Sequence, residues 1–422
     1  MTIYDRWHKS RPKPDEELCG CRPKRVPTSD HGCDGRWQVR YRDDTGTQRK
    51  RNFDRRPDAE RFDAEIKNSL HKGEYLDPSA GQITLSAYAR EWRASLTIDP
   101  GTLERVDSRL SKWVYGQQIG SETMAVLATR PALLRAWIKL MEGLLAPSSI
   151  KVVMDTVSAI FNTAVDDRIV RRNPFTLRSV QAARPVENGS KKVIPWTLPQ
   201  VVGVGDQLPA RLGALVYPGS GCGLRQGELF GLAKDDLDFE NSMIHVNRQV
   251  RIIGGHLVFS LPKRNKTRSV PMPASVAERL RAHIEKYPPT AVTLPWRVPD
   301  GELRTFVLLF TNAAGGALHR NSFNYMWRVA IERAGIVPST PPGARRRPYR
   351  EHGCHKLRHT AASAWLAAGV DIVTVAEYLG HSDPGFTLRT YTHLMPSATE
   401  RARRAMDVFF ADGTCALDVP QT

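Results

Sequence analysis

No stretch of the 422-residue sequence approaches the ~20 consecutive apolar residues that a membrane-crossing helix requires. The opening residues, MTIYDRWHKSRPKPDEE, also lack the apolar core of a secretion signal, so a soluble cytoplasmic protein is the expectation. Cysteine is scarce: Cys19, Cys21, Cys33, Cys222, Cys354 and Cys415 are too few, in a chain this long, for a disulfide scaffold. No internal repeat or low-complexity tract stands out. Acidic residues are outnumbered, 44 against 61 Lys and Arg, for a formal net charge of +17. A polyanion is therefore the first partner to consider, although excess charge alone is weak evidence. The apolar fraction, 41 %, is that of an ordinary globular protein, and the length suffices for two to four domains.

Three of the cysteines cluster with a histidine as C-G-C…H-G-C: Cys19, Cys21, His31 and Cys33. A small zinc site is one reading. The C-x-C spacing departs from the usual C-x2-C, and a loose, reduced N-terminal segment is the other. In RWQVRYRDDTGTQRKRNF, Trp37, Val39 and Tyr41 alternate with polar residues, the period of a strand with one apolar face. Asp44-Thr45-Gly46 is turn chemistry, and a second strand carries Arg49, Lys50, Arg51 and Phe53. A helix then places Ala59, Phe62, Ile66 and Leu70 on one stripe, with Pro57 at its start and Gly73 at its end. A two-stranded ribbon bearing Arg40, Arg42, Arg49 and Arg51 can enter a DNA major groove; the plainer alternative is a solvated charged face.

Four amphipathic stripes follow. They run through Leu85, Tyr88, Ala89 and Trp92; Leu103, Val106, Leu110 and Trp113; Leu133, Leu134, Trp137 and Leu140–Met141; and Val153, Val157, Ile160, Phe161 and Ala164. Beyond an aperiodic, exposed-looking linker, β-rich runs between residues 239 and 272 are flanked by helical patterns. The fold class predicted is an α+β multidomain chain. It has an N-terminal segment (1–35), a small β-ribbon-plus-helix domain (36–78) and an all-helical domain (82–183). A linker (184–192), a mixed, mainly helical domain with a small antiparallel sheet (193–410) and a tail (411–422) complete it.

The last large domain carries the chemistry. GCGLRQGELFGL holds Arg225 and Glu228, LPKRNKTRSVPM holds Lys263, HKLRHTAASAWLAAG holds His355 and Arg358, and YLGHSDPGFTLRTYTHL holds His381 and Tyr391. Arginine suits forked recognition of phosphate oxygens, and two can neutralise a pentacovalent phosphorane. His355 and Arg358 are one helical turn apart. A tyrosine hydroxyl attacks phosphorus only with a base and positive potential nearby. A lysine whose pKa is lowered by clustered arginines can protonate a leaving alkoxide. The set suits phosphodiester transesterification without a metal or other cofactor, and the pairs Asp43-Asp44 and Asp235-Asp236 do not demand a two-metal nuclease. Taken singly, each residue also has a plain structural reading; Arg225 and Glu228, for example, could be a simple helix salt bridge.

The ordered series G-L-R-x-G-E-L, a hairpin lysine ahead of V-P-M, H-x-L-R-H-T, L-G-H-S and Y-T-H resembles the tyrosine recombinases, or phage integrases. The resemblance implies that Tyr391 is the nucleophile, forming a 3′-phosphotyrosyl link and freeing a 5′-hydroxyl. Arg225 and Arg358 would clamp the scissile phosphate, and Lys263, with Lys266 as substitute, would be the general acid. His355 would assist proton transfer from the tyrosine, His381 would hydrogen-bond the transition state, and Glu228 would orient the site. It further implies a core-binding role for 82–183, an arm-type DNA-binding role for 36–78, and a homotetramer on double-stranded attachment-site DNA. A host DNA-bending factor and a directionality factor would be further partners. The activity implied is site-specific recombination that integrates and excises a phage or other mobile element. A Xer-like resolvase, a type IB topoisomerase and a non-catalytic DNA-binding protein on the same scaffold are the alternatives. Ser382 or Asp383, followed by Pro384, is a good N-cap, and were the chain helical from Asp383 to Tyr391, the rise of ~1.5 Å per residue would carry the tyrosine about 12 Å away from that cap. Tyr391 would then reach a phosphate shared with His381 only if the helix folded back, or it would serve a neighbouring subunit.

Overall fold

The computed structural model describes all residues except 1, 22–23, 44–45, 73–74, 78, 187–192, 342, 345–348, 382, 392–402, 404–405, 408–409 and 411–422. The Asp44-Thr45 turn, Gly73, most of the linker, Ser382 and the tail thus lie outside the described residues. The chain divides into two compact units: residues 1–98 with 105–188, and residues 99–104 with 189–422. Among the described residues no helix is long and apolar enough to cross a membrane.

The first unit begins with an antiparallel sheet of β1 (Thr2–Asp5), β2 (Trp37–Arg42) and β3 (Gln48–Phe53) in the order β1-β2-β3. The sequence suggested only the β2–β3 ribbon; β1 comes from the segment read as irregular. Helix α1 (Arg56–His71) covers one face, and Val39, Tyr41, Ala59, Ile66 and Tyr75 form the buried cluster between them. Directly opposite residues of an antiparallel pair share a face. The pairings Tyr41↔Arg49 and Val39↔Arg51 therefore turn Arg49 and Arg51 to the helix side, whereas Arg40↔Lys50 and Arg42↔Gln48 lie on the open side. Arg49 is held by Asp43 (3.0 Å) and Asp77 (2.6 Å), and Arg51 lies over the rings of Phe53 and Phe62. The four arginines of the ribbon are not one surface.

The rest of this unit is helical: α2 (Leu85–Ser95), α3 (Pro100–Trp113, in this unit from residue 105 on), α4 (Gln118–Ser121), α5 (Met124–Thr129), α6 (Pro131–Met141), α7 (Pro147–Asp166) and α8 (Arg178–Gln181). The Thr84 and Thr123 hydroxyls cap α2 and α5 by accepting from Ala87 and Val126 N–H, and prolines open α6 and α7, where a missing N–H costs nothing. The predicted stripes meet in one core. Leu103 and Leu140 are the exceptions: Leu103 is half-buried outside that cluster, and Leu140 is 58 % exposed, while its neighbour Met141 is fully buried.

The second unit packs α9 (Leu198–Gln207), α10 (Ala210–Gly213), α11 (Val216–Gly221), α12 (Gln226–Phe230), α13 (Ala274–Lys286), α14 (Arg320–Arg333) and α15 (His355–Ala367) around short antiparallel strands. These are β4 (Leu237–Asp238), β5 (Met243–Val246), β6 (Gln249–Ile253), β7 (His256–Ser260), β8 (Arg268–Pro271), β9 (Thr290–Pro295) and β10 (Leu303–Leu308). They form a β4-β5-β8 sheet and the hairpins β6-β7 and β9-β10, so the expected single sheet is divided and a further hairpin is added. Helices α16 (Ile372–Leu379) and α17 (Pro384–Tyr391) complete the unit. Asp371 caps α16 through Val373 and Thr374 N–H, and Gly380, at φ 60°, ends it in the left-handed conformation that glycine adopts without strain. The reversal lets α17 pack back against α16. Tyr391 joins Ala362, Leu366, Val375 and Leu379 in a small apolar cluster of its own, apart from the main core.

Candidate active site

Four charged side chains from three elements meet at the end of α16. Arg225, at the N-terminus of α12, donates from its guanidinium to Glu228 Oε1 (2.8 Å), Leu379 O (2.9 Å) and Gly380 O (3.0 Å). Arg358, on α15 and 1 % exposed, donates to Gly223 O (2.7 Å) and to the same Leu379 carbonyl. Arg268, on β8, grips both oxygens of Glu228 (2.9 and 2.8 Å) and donates to Tyr378 O (2.6 Å). Glu228 Oε2 also accepts the Arg225 backbone N–H (2.8 Å). Burial alone would raise the Glu228 carboxyl, but Arg268, Arg225 and Arg358 outweigh it and hold the group at about 2. Three guanidinium groups share one carboxylate, and the helix-end carbonyls supply only partial negative charge. The cluster is therefore short of anion, and a phosphate is the group whose oxygens match its donors.

The histidines line this cluster. His355 opens α15 and stacks edge-on against His359, ring centroids 4.7 Å apart. His381 follows Gly380 and shares a hydrogen bond with Thr387 Oγ1 (2.7 Å). Desolvation, then the neighbouring arginines, push His381 down to about 3; desolvation, with His359 and the arginines, lowers His355 as well. All are neutral at physiological pH and free to accept a proton when an anion offsets the arginines.

Tyr391 is inserted in its own chain, 1 % exposed. Its hydroxyl faces His359 Nδ1 at 2.5 Å. Burial pushes the tyrosine up to about 12 despite Arg358, and burial with Lys356 and Arg358 pushes His359 down to about 4. The short contact thus joins a neutral phenol to a neutral imidazole. Lys263 and Lys266 are exposed on the connection between β7 and β8, where Arg264 and Asn265 both take positive φ.

Arg225, Glu228, Arg358 and His381 are thus gathered as the sequence suggested, with His355 and Tyr391 reaching the cluster through His359. Arg268 and His359 were missed. Arg268 is one strand period from the buried Val270, an inward-facing cation that needs a buried anion. His359 lies four residues after His355, on the same helix face.

Residues 205–397 match the model of the phage integrase family. The chain thus carries a phage integrase domain, the domain of tyrosine recombinases, over these residues. It is an enzyme of site-specific DNA recombination. The chain is similar to a XerC-like tyrosine recombinase of Caldanaerobacter subterraneus, 25% identical over 87% of this chain and 94% of the relative. It is also similar to the integrase of Mycobacterium phage D29, 26% identical over 89% of this chain and 94% of the phage protein. Among solved structures the Tn1549 transposon integrase, in complex with transposon right end DNA, shares the fold at a TM-score of 0.62 and 22% identity, covering 78% of this recombinase and 100% of that chain. A lambda integrase dimer bound to a core site matches at 0.52, with 16% identity over 91% and 96% of the two chains.

In the N-terminal segment a second group of side chains converges. Cys19, Cys21 and His31 come together, but with His8 rather than Cys33. Cys33 is exposed, and its carbonyl accepts from Trp7 Nε1 (2.7 Å).

Proposed function

We propose that this recombinase cuts DNA with Tyr391 of the same chain that supplies the phosphate clamp, and that it integrates and excises a mobile element. The observation that carries the reading is the convergence of Arg225 and Arg358 on one carbonyl beside a helix whose last residue is a buried, hydrogen-bonded tyrosine. In this mechanism the phosphate takes the donors that Leu379 and Gly380 now occupy, and the two arginines hold the charge of the phosphorane. The Tyr391 oxygen bonds to phosphorus while the bond to the 5′-oxygen breaks. The phenol's proton goes to the His359–His355 pair, and Lys263 gives a proton to the leaving 5′-oxygen. His381 donates to a non-bridging oxygen, and Glu228 positions Arg225 and Arg268.

Full ionisation of Tyr391 by His359 before attack, from about 12 to about 4, would cost about 11 kcal/mol. Proton loss therefore accompanies phosphorus–oxygen bond formation rather than preceding it.

Integration rather than Xer-like resolution is supported by the N-terminal sheet, whose open face presents Arg40, Arg42 and Lys50 for arm-site DNA. In this reading residues 82–183 grip the core site, the active assembly is a homotetramer on attachment-site DNA in the cytoplasm, and a DNA-bending factor and a directionality factor set the outcome. The multimeric lambda integrase complexes support the assembly. The test is Tyr391→Phe on a suicide duplex. DNA affinity stays within about twofold and the covalent adduct disappears, since the attacking hydroxyl is removed. An adduct formed by the variant would reject the assignment.

A further inference from the structure

We propose that the N-terminal segment holds a structural Zn2+, bound by His8, Cys19, Cys21 and His31. The site lies far along the sequence from the catalytic residues and does not depend on their roles.

The four donor atoms lie within 4.8 Å of one another, with Cys19 Sγ 3.3 Å from His8 Nε2 and Cys21 Sγ 3.3 Å from His31 Nε2. A tetrahedral zinc with two thiolates and two imidazoles has donor–donor edges of about 3.3–3.8 Å. The set is therefore already near the size of a coordination shell.

The surroundings are those of a metal site. His8 is 3 % exposed, and its other ring nitrogen, Nδ1, donates to Asp5 Oδ2 at 2.8 Å. Asp5 is itself fixed by Arg36 (2.9 Å). A carboxylate behind a histidine sets the tautomer that leaves Nε2 as a lone-pair donor. Asp5 ends β1, so the chain that orients the ligand is part of the sheet. Gly20 has no atom within 4 Å of its Cβ position, so the short C-x-C link turns without crowding.

The segment also needs a clasp. From Arg6 to Arg36 the described residues contain no helix or strand, joining β1 to β2 by turns and a few backbone hydrogen bonds such as Lys9 N–H to Val26 O and Cys19 N–H to Arg25 O. Unstructured connections beyond about 12–15 residues are uncommon inside a compact domain. One ion tying residue 8 to residues 19, 21 and 31 would close that connection in three places and fasten it beside the sheet. The two thiols and two imidazoles select zinc over calcium or magnesium, which prefer oxygen.

The experiment measures bound metal in the untagged full-length protein. Wild type and Cys33→Ser should each carry about one Zn2+ per chain, whereas Cys21→Ser and His8→Ala should fall at least about tenfold. Cobalt-loaded wild type should show tetrahedral visible bands with thiolate charge transfer, and X-ray absorption on the zinc protein should count two sulfur and two nitrogen neighbours. Because a variant can lose metal by misfolding, these two spectra on the unmutated chain stand independently. Zinc-free wild type, loss of zinc in Cys33→Ser, or a Cys19–Cys21 disulfide found by mass in freshly purified protein would each overturn the site.

Discussion

Glu228→Gln removes one charge at a position with no solvent, and its cost can be worked from the structure. The carboxylate side chain is 0 % exposed and accepts four hydrogen bonds, three from guanidinium groups and one from the Arg225 backbone. In the variant, one oxygen becomes an amide nitrogen facing arginine donors, and Arg225 and Arg268 lose their only buried counter-charge in this hydrogen-bond set. Its pKa, lowered from 4.5 to about 2, corresponds to about 3 kcal/mol. Breaking a buried ion pair from one side costs about 3–5 kcal/mol, which agrees. A folded-state pKa below the unfolded one stabilises fully above pH 4.5, and that stability is lost as the pH falls towards 2. The expected result is a melting temperature for the second unit lowered by roughly 6–12 °C at pH 7. The difference from wild type should stay constant down to about pH 4.5 and shrink below it. Scanning calorimetry, with hydrogen exchange of peptides covering 225–232 and 268–271 to assign the transition, reads both quantities. A variant as stable as wild type at pH 7, or a gap that widens on acidification, would refute the reasoning.

Other substitutions probe the chemistry and the surfaces. His359→Ala should slow adduct formation by about 10²–10⁴ while leaving DNA affinity unchanged, and an unaltered single-turnover rate would remove His359 from the proton path. Lys263→Ala should be inactive on ordinary DNA yet recover cleavage with a 5′-bridging sulfur, a leaving group that needs no proton; failure there while Lys266→Ala is rescued would move the acid to Lys266. Arg40→Ala with Lys50→Ala should weaken arm-site binding and lower its salt slope by about one for each phosphate no longer neutralised. Arg49→Ala should instead lower the unfolding midpoint through its ties to Asp43 and Asp77, and an equal drop in salt slope for both variants would contradict the division of the two faces.

The helical stripes were legible because burial imposes a 3.6-residue period on each segment by itself. Leu140, one step around the helix from Met141, and the half-buried Leu103 fell outside. The motif residues were legible because the chemistry restricts residue type. What was not legible depended on pairing between distant segments. The strand before Asp5 is too short to show a period, and the faces taken by Arg49 and Arg51 follow from register with β2 rather than from their own alternation. Similarly, His8 reaches Cys19 and Cys21 through β1, which the C-x-C spacing could not reveal. The position of Tyr391 was undetermined for the same reason: the fold-back depends on Gly380 taking positive φ, and a Leu-Gly-His sequence permits but does not dictate that.

Packing of Tyr391, the proposed nucleophile, into an apolar nest carries a cost for speed. A duplex is too broad to enter a space in which Tyr391 is 1 % exposed, so on the proposed mechanism α17 must first swing out or tilt. The nest comprises few side chains beside the main hydrophobic mass, and such a small patch can let go while the remainder stays folded. Until a cognate duplex supplies that push, the proposed nucleophilic oxygen stays sheathed, and on this reading the protein's own interior holds back stray nicking.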